Sequence, residues 1–191
     1  MVRGEYQRAY PQFSACGLNC GLCPRYYTEG VSRCPGCGGP GFSGVHPACG
    51  PLSCCGRQGL EFCGQCGQFP CARLEGADLW DSFITHRNQM GDLRRAADIG
   101  LEDYIQELNG KMTALRTLLE HYDDGRRKSF FCTAVNLLDG DDVGAVLAEL
   151  AAQTVGQTPI KERAALAVAA LQQSADSGGI DLKLRKKAGK I

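Results

Sequence analysis

The chain of 191 residues contains no lysine before Lys111, and the arginines of its first 110 residues are scattered. A nucleic-acid-binding face needs clustered Lys and Arg side chains, and the net charge of the chain is zero. We therefore expect no nucleic-acid partner. The sequence also lacks an apolar run of about 18 residues, the length that spans a membrane, so we expect no membrane association. Residues 1–6 lack the apolar core of a signal peptide, which predicts a cytoplasmic protein.

Cysteine is abundant but unevenly distributed. Of the twelve cysteines, eleven lie between Cys16 and Cys71, and Cys132 stands alone. Cytoplasmic thiols are kept reduced, so we favour metal ligation over a disulfide framework. Residues 1–75 are also rich in Gly and Pro and poor in large aliphatic residues. Such a segment buries too little apolar area to offset its ordering entropy, and we predict that residues 1–75 form a metal-binding module that needs cross-links to fold.

The spacing of the cysteines indicates zinc. Two residues between thiolates let both sulfurs reach one ion, and two such pairs supply the four sulfurs that structural zinc prefers. We predict two or more Zn²⁺ sites. The first set contains Cys20, Cys23, Cys34 and Cys37, and the second contains Cys49, Cys54, Cys63 and Cys66. Cys16 and Cys71 remain to complete a third site, to share a metal cluster or to replace members of these sets, whereas Cys55 and Cys132 are interpreted as buried small residues.

Two kinds of iron–sulfur chemistry compete with zinc. Thiolate-rich sites also hold iron–sulfur clusters for electron transfer, although the spacing here differs from the compact ferredoxin run. Cys16, Cys20 and Cys23 have the spacing of the cluster-binding triplet of radical S-adenosylmethionine enzymes. Those enzymes need alternating strands and helices, which the sequence after Cys23 does not predict. A thiol redox role also stays open for Cys16 and Cys71, because a thiolate near a metal has a depressed pKa.

Residues 76–191 are interpreted as a helical domain with a basic C-terminal tail. Apolar residues recur at steps of three and four from Leu101 to Tyr122, which predicts one long helix that Gly110 kinks or divides. The remaining helices are predicted over 77–87, 91–99 and 127–138, after a turn at 139–142, and from Thr158, with Thr158 as N-cap and Pro159 at the first position. The basic segment 183–190 is predicted to be a solvated tail. The fold class is therefore mainly α, with a loop-rich, metal-stabilised N-terminal cysteine module and a small helical bundle in the C-terminal half.

Several motifs resemble those of the domain of unknown function 3795 family, which comprises small prokaryotic cysteine-rich proteins. They are Cys16-Gly17-Leu18-Asn19-Cys20-x2-Cys23, Cys34-x-Gly36-Cys37, Cys49-x4-Cys54 and Gly59-Leu60-Glu61-Phe62-Cys63-x2-Cys66-x2-Phe69-Pro70-Cys71. The resemblance covers about residues 15 to 100. It implies that the motif cysteines are Cys16, Cys20, Cys23, Cys34, Cys37, Cys49, Cys54, Cys63, Cys66 and Cys71, and it supplies no established activity.

No catalytic constellation is evident in the sequence. Catalytic zinc keeps an open coordination position and usually has His or carboxylate ligands, whereas His86 and His121 stand alone. No phosphate-binding loop and no nucleophile elbow occurs. The sequence therefore favours a structural zinc-binding protein that serves an interaction with an unknown protein or small ligand, and it assigns no enzymatic activity.

Overall fold

The computed structural model describes residues 6–153 and 158–187. The cysteine-rich part consists of short 3-10 turns and two short helices, α1 (Phe42–Val45) and α2 (Gly50–Gln58). The later helices are α3 (Gln89–Ile99), α4 (Leu101–His121), α5 (Lys128–Leu137), α6 (Gly140–Gln153) and α7 (Ile160–Ser177). These described ranges contain no strand, which confirms a mainly α fold with a loop-rich N-terminal region. None of their helices is both long and apolar enough to cross a membrane.

The long helix predicted from the apolar pattern is α4. The prediction that Gly110 kinks or divides this helix was wrong. The helix runs for 21 residues without a break. Gly110 is exposed, with open space where a Cβ would lie. A helical glycine costs about 1 kcal/mol relative to alanine, and the buried side chains of Leu108 and Met112 on the opposite face offset that cost.

The ends of the other late helices agree with the sequence to within a few residues. Helix α5 falls inside the predicted range, and α3 starts two residues before it. Helix α6 already begins at Gly140, so Asp141 and Asp142 lie in its first turn, where carboxylates favour the positive end of the helix dipole. Pro159, not Thr158, is the N-cap of α7.

The predicted helix over 77–87 is absent, and the same contacts correct the prediction of a solvated tail. The Asp81 carboxylate accepts hydrogen bonds from the backbone N–H groups of His86, at 2.8 Å, and Arg185, at 2.6 Å. These bonds satisfy backbone groups in a looped conformation, which competes with a helix. The Arg185 guanidinium also binds Asp81, at 3.0 Å, and Leu182 is buried in the core. Arg185 of the basic segment is thus held by the loop at 78–87, whereas the side chains of Lys183, Lys186 and Lys187 are exposed.

One apolar core joins the cysteine-rich region to the helices. Phe13 and Phe62 are fully buried, and the Phe13 ring lies 4.7 Å from the Tyr104 ring of α4 and 5.7 Å from the Phe62 ring, measured between centroids. Leu22 is buried in the same cluster. The N-terminal region therefore anchors itself with a few large side chains on the helical bundle, rather than folding around a large core of its own.

Candidate metal centre

Six predicted ligands form a first thiol group in the N-terminal region. Burial, followed by the negative charges of Cys37, Cys16 and Cys23, raises the pKa of Cys20 well above its ordinary value. Burial raises the pKa of Cys37 to about 11, and the thiolates of Cys16 and Cys49 add to the effect. Because a charge shifts another group's pKa only at short range, these sulfurs are neighbours. Cys23 has Cys34 as a further neighbour. The first thiol group is Cys16, Cys20, Cys23, Cys34, Cys37 and Cys49.

Five further cysteines form a second thiol group around a small cavity of about 50 Å³. The Gln58 side chain links two of them, since its amide donates to the Cys54 sulfur at 3.2 Å and its oxygen faces the Cys66 sulfur at 3.9 Å. The second thiol group is Cys54, Cys55, Cys63, Cys66 and Cys71. It adjoins the first group, because the charge of Cys16 is among those that raise the pKa of Cys63.

Cys55 was set aside in the sequence, but it contacts a predicted ligand. Its sulfur lies 3.8 Å from that of Cys63, within the distance of a thiol–thiolate hydrogen bond. That hydrogen bond lowers the pKa of Cys55 and raises that of Cys63. Cys132, by contrast, is buried in the helical core, as predicted for a small apolar residue.

The membership of the two thiol groups differs from that of the two ligand sets predicted from the cysteine spacing. Cys20, Cys23, Cys34 and Cys37 all fall within the first thiol group. The second predicted set is split, because Cys49 lies beside Cys16 and Cys37 rather than with the thiols around the small cavity. Cys16 and Cys71, which the spacing left over, each belong to a group.

Tight turns build two of the three cysteine pairs with two intervening residues, and in the third pair the Cys37 N–H donates to the Pro11 carbonyl oxygen instead, at 2.8 Å. Cys23 N–H donates to Cys20 C=O at 3.1 Å, and Cys66 N–H donates to Cys63 C=O at 3.0 Å. Each of these two pairs therefore lies on a single 3-10 turn. Gly36 has a φ of +89°, and a Cβ there would collide with the carbonyl oxygen of Pro11. This glycine lets the backbone just before Cys37 lie close to residues 11–15.

All twelve cysteines are free, so none forms a disulfide. Within 6–153 and 158–187, no three His, Cys, Asp or Glu side chains converge closely enough to hold a metal ion. The thiols are thus gathered into groups without forming a tetrahedral cage.

Arg8 places a buried positive charge against the first thiol group. Its side chain is fully buried, and its Nε forms an ion pair with the Glu61 carboxylate at 3.4 Å. The guanidinium donates to the carbonyl oxygens of Glu61, at 2.8 Å, Cys37, at 3.3 Å, and Phe13. Its charge is among the influences that lower the pKa values of Cys37 and Cys55. Its Nη2 atom is buried without a hydrogen-bond partner, which is costly for a charged donor unless an anionic group lies nearby.

A polar cavity of about 770 Å³ lies where the first thiol group meets α3, α4 and α6. Asn19, in the loop between Cys16 and Cys20, forms part of its wall and is buried. The Asn19 amide donates to the Asp92 carboxylate at 2.9 Å, and the Tyr104 hydroxyl donates to the Asn19 oxygen at 2.9 Å.

Two charged groups in this cavity have shifted pKa values. Burial raises the pKa of Asp92 to about 6, although the charge of Lys111 and the hydrogen bonds from Tyr104 and Asn19 oppose the shift. Burial also lowers the pKa of Lys111, against the opposing charges of Asp92, Asp139 and Glu107. Perturbed charged groups in a cavity are typical of binding sites.

The family resemblance includes Asn19 and Asp92 without giving either a role, and no sequence pattern predicts a role for Arg8 or Lys111. Asn19 does lie inside the Cys16–Cys20 motif, and Lys111 is the first lysine of the chain, but neither signal specifies a contact. Arg8 stands outside every motif, so only the fold reveals its burial.

The comparisons with known proteins agree with the motif positions. Residues 12–76 match the family described as protein of unknown function (DUF3795). No curated protein and no solved structure matches the chain. The matched residues include all eleven cysteines between Cys16 and Cys71, so this part of the chain is similar to the DUF3795 family.

Proposed function

We propose that the N-terminal region binds structural zinc through its thiolates and that the zinc-stabilised region serves an interaction with a protein or small ligand. The observation that carries this proposal is the gathering of eleven free cysteines into two adjoining groups within residues 16–71. Four thiolates per ion are the usual ligand set of structural zinc. Four of the six sulfurs in the first thiol group would hold one ion, and four of the five in the second thiol group would hold another.

The composition of the local core supports a structural purpose. Apart from the residues anchored on the helices, the buried cluster of this region consists of Ala15, Cys37, Phe42 and Cys55. Two of these four residues are themselves cysteines, and three further cysteines pack around them. So small an apolar cluster contributes little to stability, whereas zinc–thiolate bonds stabilise the folded state directly.

The buried charge of Arg8 supports anionic centres at this position. A zinc ion with four thiolate ligands carries a net charge of −2, and a guanidinium nearby lowers the cost of burying that charge. The unpartnered Nη2 of Arg8 is a donor suited to such a thiolate sulfur. The Glu61 carboxylate already offsets part of this charge, since its Oε2 lies 3.4 Å from the Arg8 Nε.

Coordination requires the sulfurs to approach one another more closely than the described thiols do. Sulfurs lie about 2.3 Å from a zinc ion. A cysteine positions its sulfur by the single torsion χ1, so rotation at neighbouring residues can bring grouped thiols together without a change of fold. The donor chemistry, the grouping and the buried cation all fit a thiolate-bound metal.

Elemental analysis of the purified protein tests the proposal, combined with an absorption spectrum and an assay for acid-labile sulfide. We expect a colourless protein with about two zinc ions per chain and loss of helical signal in the N-terminal region with a strong chelator. Iron with acid-labile sulfide and a brown colour would overturn zinc in favour of an iron–sulfur protein. A protein prepared without chelators that holds neither metal would overturn metal binding altogether.

A further inference from the structure

The polar cavity presents two opposite charges that attract each other without forming a direct ion pair. Asp92 and Lys111 both line it and are both half-buried. Among the described residues, neither side chain forms an ion pair within 4.0 Å. The Lys111 ammonium also has no hydrogen-bond partner in this part of the chain. Two unpaired charges of opposite sign in one recess are costly unless a third group lies between them.

The cavity wall holds the Asp92 carboxylate in place. Asn19 donates to it at 2.9 Å, and the second hydrogen of the same amide donates to the Asn136 side-chain oxygen at 3.2 Å. The Asn19 oxygen accepts from Tyr104. Because every polar group of Asn19 is occupied, its orientation is fixed, and Asp92 is presented to the cavity in a defined position.

An ion pair closes one side of the recess. The Arg95 guanidinium binds the Glu107 carboxylate through two contacts, at 2.8 and 2.5 Å. These two charges satisfy each other, which leaves Lys111 as the cation of the cavity without a partner. Asp139 and Asp141, at the start of α6, also line the cavity.

The charge distribution narrows the class of ligand. A simple anion would meet Lys111 but would be repelled by Asp92, Asp139 and Asp141. A simple cation would meet the carboxylates but would be repelled by Lys111. A metal cation would meet the same repulsion from Lys111. A molecule with both charges avoids each of these penalties.

We propose that this cavity binds a small zwitterion of the α-amino-acid class, with its ammonium group on Asp92 and its carboxylate on Lys111. The volume of about 770 Å³ lies within the range of small-molecule sites. The N–H groups at the start of α6 offer further donors to the carboxylate. Among the described residues no cysteine lines this cavity, and Asn19 connects its wall to the loop between Cys16 and Cys20.

Ligand-observed NMR tests the proposal on the full-length protein as purified, with the proteinogenic L-amino acids as individual probes. We expect at least one of them to bind with a Kd of about 1 mM or tighter. Acetate and methylamine, which each carry one of the two charges, should bind at least about tenfold more weakly. Failure of every amino acid to bind, or equal binding of either single-charge probe, would overturn the proposal.

Two variants then locate the binding. Lys111→Met removes the ammonium with little change in length, and Asp92→Asn keeps an acceptor for Asn19. Each should weaken binding of the best amino acid by about tenfold or more. Lys161→Met and Asp98→Asn, which are exposed positions outside the cavity, are the matched controls and should bind normally. Unchanged affinity in Lys111→Met would overturn the assignment even if Asp92→Asn failed to fold.

Discussion

The side-chain amide of Asn19 donates a hydrogen bond of 2.9 Å to the carboxylate of Asp92, which lies 73 positions later in the chain. This bond ties the loop between Cys16 and Cys20 to α3. It also makes the wall of the polar cavity part of the cysteine-rich region. A change in the loop that carries two predicted metal ligands would therefore reach the cavity through a single side chain.

Replacing Asn19 by alanine should destabilise the whole protein. The variant leaves Asp92, the Tyr104 hydroxyl and the Asn136 oxygen without their shared partner. Each buried polar group that loses its partner costs about 1 to 3 kcal/mol, so we expect the free energy of unfolding to fall by about 2 to 4 kcal/mol. Urea unfolding measures the change. Asn109→Ala, at an exposed position of α4, is the control, and a similarly small loss in both variants would contradict the role of Asn19.

The sequence predicted the parts of the fold that follow from periodicity. The apolar pattern predicts the ends of α4 and α5 closely, because one face of each helix packs on the core. Helix α2 was missed, although Pro51 in its first turn and Gly59 at its C-terminal cap, with a φ of +66°, are typical of helix ends. The sequence predicted loops for this segment because it lies among closely spaced Cys, Gly and Pro residues.

The candidate sites were predictable only in part. Spacing along the chain identified which cysteines matter, but it could not separate Cys49 from Cys54, because α2 turns the two sulfurs towards different groups. The loop at 78–87 and the cavity depend on partners more than 40 positions away, such as Arg185 for Asp81. Long-range contacts of this kind leave no periodic signal in a single sequence.

Arg8→Lys should destabilise the N-terminal region although it preserves the charge. Lysine cannot reproduce the planar set of donors that reaches the carbonyl oxygens of Phe13, Cys37 and Glu61. Loss of these buried bonds should lower the free energy of unfolding by about 2 to 3 kcal/mol, and zinc retention against a chelator should fall with it. Arg126→Lys, at an exposed position, should change neither quantity. Equal stability of Arg8→Lys and the unmodified protein would contradict the role of the guanidinium.

The contact between Asp81 and Arg185 should make stability depend on acid pH. Burial alone would raise the pKa of Asp81, but hydrogen bonds from Arg185 and from the His86 N–H outweigh it and hold the pKa well below its usual range. A carboxylate with a depressed pKa stabilises the folded state at pH values above its unfolded pKa of about 3.9. That contribution declines as the pH falls below this value towards the folded pKa.

Asp81→Asn tests this dependence. The variant should be clearly less stable than the unmodified protein at about pH 7, and the difference should shrink at about pH 3. Urea unfolding at both pH values measures it, and taking the difference removes contributions that the two proteins share. Asp98→Asn, an exposed control, should show little difference at either pH. A gap for Asp81→Asn that stays constant with pH would mean that Asp81 is not held ionised by Arg185.

The structure places Cys49 beside Cys16 and Cys37, whereas the sequence spacing assigns it to a set with Cys54, Cys63 and Cys66. The two assignments predict different numbers of bound zinc ions in cysteine variants. If Cys37 and Cys49 serve one ion, the variants Cys37→Ser and Cys49→Ser should each lose the same zinc to a competing chelator. The double variant should still retain the zinc of the second thiol group. If Cys49 instead served the set with Cys54, Cys63 and Cys66, the double variant would lose both ions. The two assignments of Cys49 predict zinc contents of the double variant that differ by one ion per chain. Elemental analysis of that variant therefore decides whether Cys49 binds with the first thiol group or with Cys54, Cys63 and Cys66.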